Sequence, residues 1–476
     1  MSCLSRGWSR PSRHRRTAVI RIPRILVASL FLFGVISQSF AKTELSDQIS
    51  FKVEKYKLTN GLTVLLYEDH TTPIISYHTW FRVGSKNEKL GTTGIAHLFE
   101  HMMFKGAKRY SGDQFENILQ MNGASNNAFT THDYTGYYEN LPSAKLELVM
   151  DVESDRMENL QISADNLKSE REVVKEERRM RVDNSPTGVL QESLFGAAFP
   201  ANAYHWPVIG YMPDLDNIDL QSAKNFYHTN YAPNNAVIVI AGDFNSIYAK
   251  KLIEKYYGKL KSQELPVLVS FSEVLQMKAK VEVVEKAVQN VTLAIGYVVP
   301  KAGSPDSYAL DLLANIMGHG TSSRLYKRLV YKDQVATSVS VSNYTLQQAG
   351  IFEAYVSLKP KLDSHKASKI VIAEMWRPRN LIVTAAELEV AKKQVMKSYV
   401  DGLKTIFGKA EALAMNEVLF GDYTQLFSDL QKYQAVTAQD IRAAAGKYLT
   451  PEKSIVAVVK PLKIAKPQGL PKKKGN

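Results

Sequence analysis

Two distant stretches of this chain share one pattern. Tyr231-Ala232-Pro233-Asn234-Asn235-Ala236-Val237-Ile238-Val239-Ile240 and Tyr448-Leu449-Thr450-Pro451-Glu452-Lys453-Ser454-Ile455-Val456-Ala457-Val458-Val459 each read as Tyr, Pro, a short polar turn and a β-branched strand. A strand that recurs in the same setting constrains the chain to a duplicated architecture. The length of 476 residues is also more than one ordinary domain. The expectation is α+β: two related domains, each a mostly antiparallel sheet packed by helices. Residues 42–262 form the first and 281–462 the second, with an uncharged linker around Pro266 within 263–280.

Local patterns fill in the first domain. Lys57 to Tyr67 reads as strand, Asn-Gly turn, strand. Ile74–Val83 and Ala128–Tyr138 read as strands, and Ala236–Gly242 as a buried one. Helices are expected from about Thr93 to Lys105, over Gly112–Met121, and over 143–160 and 163–182.

Charge collects at the two ends. Residues 1–41 hold seven arginines and no acid, residues 463–476 hold five lysines, and the body between is near neutral. A basic face is therefore absent, and no nucleic-acid partner is expected. Ile25 to Ile36 is uncharged, and Ser39 and Ala41 fit a small-residue cleavage site. These are the parts of a signal peptide over 1–41, which points to a periplasmic or secreted protein. The Arg-rich start leaves a mitochondrial matrix address as the alternative, and an uncleaved anchor as another. No span is expected in the mature chain. Cys3 is the one cysteine, so cysteine-ligated metals and thiol catalysis are excluded from the folded body.

Chemistry concentrates in Gly94-Ile95-Ala96-His97-Leu98-Phe99-Glu100-His101-Met102-Met103-Phe104-Lys105-Gly106. His97 and His101, four apart on a helix, can grip one metal ion from one face. Glu100 lies on the same side and can take a proton from a water molecule without being a ligand. The rest of the helix is apolar nearly all round, so it is buried, and buried ionisable groups need a partner. A third ligand must be His, Asp or Glu. Leu167, Glu170, Val174 and Glu177 form one inward stripe on the next charged helix, which offers Glu177; Glu176 is the rival, off the stripe.

His97-Leu98-Phe99-Glu100-His101 is the inverted zinc motif H-x-x-E-H. The sequence resembles the pitrilysin-type metallopeptidases, in particular the short two-domain members related to the β subunit of the mitochondrial processing peptidase. Glu170-Arg171-Glu172-Val173-Val174-Lys175-Glu176-Glu177 is similar to the family's segment E-R-x-V-x-x-x-E. The resemblance implies one zinc ion per chain on His97, His101 and Glu177, with Glu100 as general base and Glu170 as a supporting carboxylate. It implies that Asn127 and Ala128, on an edge strand, bind the backbone of an extended peptide substrate. It also implies a clamshell of two halves.

The segment Ser322-Ser323-Arg324-Leu325 resembles a further family motif, yet Val330 and Thr337 stand where relatives often carry a substrate-binding arginine and tyrosine. A heterodimer with a homologous chain supplying that pair is the expectation. A presequence-processing subunit and a non-catalytic assembly subunit are the rival readings. His132, His205, His228 and His319 have no partner at ligand spacing, and structural roles are expected for them. Trp80 and Trp206 read as core aromatics.

Overall fold

The computed structural model describes residues 50–266, 276 and 278–462. The segment 1–41, the tail 463–476 and part of the linker 263–280 lie outside the described residues. The first sheet contains β1 (Glu54–Lys57), β2 (Thr63–Glu68), β3 (Ile74–Phe81), β4 (Ser125–Thr130), β5 (Thr135–Pro142) and β6 (Ala236–Gly242). Its spatial order is β1-β2-β6-β3-β5-β4. The second contains β7 (Lys280–Lys286), β8 (Thr292–Val299), β9 (Ala336–Thr345), β10 (Gly350–Leu358) and β11 (Ile455–Pro461), in the order β7-β11-β8-β10-β9.

The two orders superimpose once β1 is set aside. In each sheet the last strand inserts between the first two, parallel to one (β6 with β2, β11 with β7) and antiparallel to the other. The similar Tyr-Pro segments lead into these two inserted strands, β6 and β11. Their apolar runs follow from burial on both faces. Ile238 and Ile240 face one core while Val237 and Val239 face another. In β11, Val456 and Val458 divide from Ile455 and Val459 in the same way.

Five helices of the first half are α1 (Ile95–Met102), α2 (Gly112–Met121), α3 (Leu146–Asn159), α4 (Ala164–Arg178) and α5 (Pro186–Ala198). The packing crosses the expected cut at the linker. Leu190, Leu194 and Phe195 of α5 pack against Ala294, Ile351 and Ala457 of the second sheet. Reciprocally, the helix Ile406–Phe420 lays Ala410, Leu413 and Ala414 on Leu65, Trp80 and Val239 of the first. Each sheet thus buries one face under a helix from the other half of the chain. Among the described residues, no helix is long and apolar enough to cross a membrane.

Three local expectations are corrected. Ala128–Tyr138 is not one strand but parts of β4 and β5, antiparallel and joined at Thr131–Tyr134. The turn contains no glycine or proline; Thr131 Oγ1 accepts from the Asp133 and Tyr134 amides instead. The metal-motif helix is shorter than Thr93–Lys105. Gly94, at φ 90°, starts it, and the buried Glu88 carboxylate accepts from the Gly94 and Ala96 amides at 2.9 and 2.8 Å. The helix expected over 163–182 is α-helical only to Arg178 and continues as a wider turn over Arg179–Asp183.

Candidate metal centre

α1 and α4 pack side by side and bring three ligand atoms together. Glu177 Oε2 lies 3.6 Å from His97 Nε2 and 3.3 Å from His101 Nε2. Ligand atoms of His97, His101 and Glu177 all fall within 4.8 Å of one another. Zinc bonds of about 2.0–2.1 Å arranged tetrahedrally set ligand atoms about 3.3–3.4 Å apart, close to these separations. Among the described residues no other cluster of this kind occurs.

The phase of α4 is set by Ser163, whose side chain accepts from the Asn166 amide, and by the burial of Leu167 and Val174. That phase turns Glu177 inward, while Glu176 is largely exposed and pairs with Arg179 at 2.7 Å. Glu170, one further turn pair back, is buried. Its Oε2 is 3.5 Å from His101 Nδ1 and its Oε1 2.7 Å from Lys105 Nζ. It therefore stands beside the ring atom of His101 that faces away from Glu177, where its charge favours this orientation of the imidazole.

Electrostatics follow from this packing. Burial, reinforced by the charge of His101, pushes His97 down to about 4, so it is neutral with a lone pair to give. His101 is pulled down by burial, but Glu170 and Glu177 outweigh that and push it up to about 9. The hydrogen bond from His101 holds Glu177 below the usual carboxylate range. Two carboxylates thus draw one positive charge to this point. The donor set, two imidazoles and a carboxylate with no cysteine, suits zinc.

Glu100 is mostly buried, and burial raises its carboxyl above the usual range. Thr130 Oγ1 donates to Glu100 Oε2 at 2.6 Å. A cavity of about 1220 Å³ opens over these groups, and all its lining residues lie between His97 and Arg181. Asn127 and Ala128 line it from β4, which is the end strand of its sheet and, among the described residues, pairs only with β5. Val330 instead packs on the core of the second half, and Thr337 Oγ1 donates to the Ser357 carbonyl on β10. Arg324 is held by both oxygens of Glu387, at 2.7 and 2.8 Å.

Residues 63–210 match the family model described as Insulinase (Peptidase family M16), and 217–395 match the Peptidase M16 inactive domain. The zinc protease PqqE of Helicobacter pylori is 32% identical over 419 residues, covering 86% of this chain and 93% of that protein. The chain belongs to peptidase family M16. The uncharacterized zinc protease YmxG of Bacillus subtilis is 24% identical over 85% of this chain and 98% of its own. The crystal structure of a protease from Helicobacter pylori superimposes with a TM-score of 0.82 at 31% identity, covering 87% of this chain and all of that one. A peptidase M16 inactive domain from Pseudomonas fluorescens, at 20% identity, shares the fold with a TM-score of 0.79 over 88% of this chain and all of that one. Within this M16 chain the metal-type cluster sits in the half that matches the first model.

Several site residues escaped the sequence reading. Thr130 could have been found, since it lies two positions beyond Ala128 and so on the same face of β4. Arg181 lies four residues beyond Glu177, and its Nε reaches Glu177 Oε1 at 2.9 Å. Glu88 and Asp133 carried no local signal. Asp133, buried, pairs with Lys86 at 2.8 Å and accepts from the Gln347 amide of the second half, also at 2.8 Å. That contact anchors the β4–β5 turn beside the site.

Proposed function

We propose that the protein is a zinc endopeptidase that cuts peptides or unfolded protein segments. The observation that carries this reading is the convergence of His97, His101 and Glu177, with Glu100 beside them in the same cavity. Zinc bound by those three would supply Lewis-acid chemistry, polarising a peptide carbonyl and lowering the pKa of a water molecule.

The chain's own groups perform the rest. β4 pairs an extended peptide along its free edge through the backbone at Asn127 and Ala128. Thr130 engages Glu100 Oε2, which leaves Oε1 free to take the water's proton and then hand it to the departing amine. Burial raises the Glu100 carboxyl, which favours holding that proton between the two steps. No covalent link between enzyme and substrate is needed.

Two further parts of the reading rest on the sequence. The export segment over 1–41 would place the mature protein in the periplasm or outside the cell. The missing Arg/Tyr pair calls for a homologous partner chain; among the described residues the large cavity is lined by 97–181. Full turnover by a strictly monomeric preparation would remove the partner from the scheme.

Glu100→Gln tests the central reading. It keeps the size of the side chain and removes the base, so zinc content should persist while peptide cleavage falls by about 10²–10⁴-fold. Activity within a factor of two of the parent would show that Glu100 is not the base.

A further inference from the structure

The β4–β5 turn of the first sheet and the β9–β10 turn of the second hold equivalent places in the two strand orders, and they meet tip to tip. Asp133 stands at the contact. Its Oδ1 accepts from Lys86 Nζ at 2.8 Å and from the Tyr204 hydroxyl at 2.7 Å, and its Oδ2 accepts from the Gln347 amide at 2.8 Å. The side chains of Lys86 and Asp133 are almost fully buried. The Tyr204 hydroxyl in turn accepts from the Gln348 amide at 3.1 Å, and Gln347 Nε2 donates to the Leu419 carbonyl at 3.1 Å. One carboxylate therefore ties the β4–β5 turn to the second half of the chain.

The turn is gripped from its other side as well. The Ser85 and Lys86 amides donate to the Thr131 and His132 carbonyls at 3.1 and 3.0 Å. A Cβ at Gly84 would stand 2.4 Å from the Thr131 carbonyl oxygen, so the backbones touch there. Thr130, paired with Thr135 at the base of the turn, is the next residue along β4, and its hydroxyl holds Glu100. Asn127 and Ala128 lie further from the turn, laddered to Tyr138 and Tyr137. A shift of the turn therefore reaches Thr130 before it reaches the residues proposed to pair with a peptide. Asparagine at 133 would turn an NH2 toward one of the three donors and leave the buried Lys86 ammonium without its counter-charge.

We propose that Asp133 is a positioning residue for Glu100: it acts through the turn and Thr130, and it makes the placement of the base depend on the second half of the chain. Residues 346–349 then serve the reaction without touching substrate or metal. The inference rests on the peptidase reading for the role of Glu100, although the clamp on the turn can be measured without turnover.

The experiment uses the zinc-loaded chain, together with any subunit it requires, and one peptide substrate. Asp133→Asn should lower kcat by about tenfold or more, and Tyr204→Phe, which removes one donor and keeps the Lys86–Asp133 pair, by about fivefold. KM and zinc content should stay within about twofold of parental in both. In a Thr130→Val background neither substitution should cost more than about a further twofold, because the route to Glu100 is already cut. Losses that multiply in that background overturn the proposal, as does a rise in KM with kcat unchanged. Where Asp133→Asn fails to fold or to hold zinc, Tyr204→Phe decides. In parallel, amide hydrogen exchange over residues 130–135 of the zinc-loaded protein should quicken in the variants while β3 and β6 keep parental rates. Parental exchange at 130–135 overturns the clamp. If the parent cuts no peptide yet exchange quickens as expected, the clamp stands and the peptidase reading falls.

Discussion

Thr130 and Glu100 are joined by a hydrogen bond of 2.6 Å between the end of β4 and the metal-motif helix. The strand proposed to take the peptide along its edge also holds one oxygen of the proposed base. In that scheme substrate backbone and base share a rigid element, which fixes their relative position better than two loops would.

Thr130→Val removes the hydroxyl and keeps the shape. A hydrogen bond to a charged group contributes about 1.5–3 kcal/mol, so kcat should fall by about 10–100-fold. KM and zinc content should hold, and Thr130→Ser should restore most of the loss. A rise in KM with kcat unchanged would mean that the hydroxyl serves peptide binding instead.

Glu177 and Glu176 are adjacent in sequence but turned to different environments. Glu177→Gln should weaken zinc binding strongly in a chelator-competition titration. Glu176→Gln should leave it near parental, because its carboxylate meets Arg179 at the surface. Equal effects would contradict the α4 phase seen here.

Glu170 touches His101 Nδ1 rather than the ligand side of the ring. Its replacement by Gln should lower zinc affinity by about 10–100-fold without abolishing binding. Loss as complete as for Glu177→Gln would make Glu170 a ligand.

Arg324 holds the Glu387 carboxyl down to about 2. Unfolded, a glutamate titrates near about 4.3. A depressed folded pKa adds stability that is present above the unfolded value and fades as pH falls through the folded one. Arg324→Ala should therefore lower the thermal midpoint at neutral pH, and its effect should shrink as the pH drops toward about 2. A destabilisation independent of pH would assign Arg324 a packing role only.

The metal motif, the inward stripe of α4 and the inserted strands β6 and β11 were legible in the sequence. Each is a short-range pattern: a spacing of four, a spacing of three and four, or an unbroken β-branched run. Local geometry projects such residues onto one face wherever the chain goes. The tertiary structure alone decided what the faces meet. Nothing local says that α5 covers the second sheet, or that Ile406–Phe420 covers the first, because every apolar helix face is a possible mate for every apolar sheet face. The same holds for Asp133 and Gln347, two polar residues far apart in the chain whose contact exists only once both sheets are assembled.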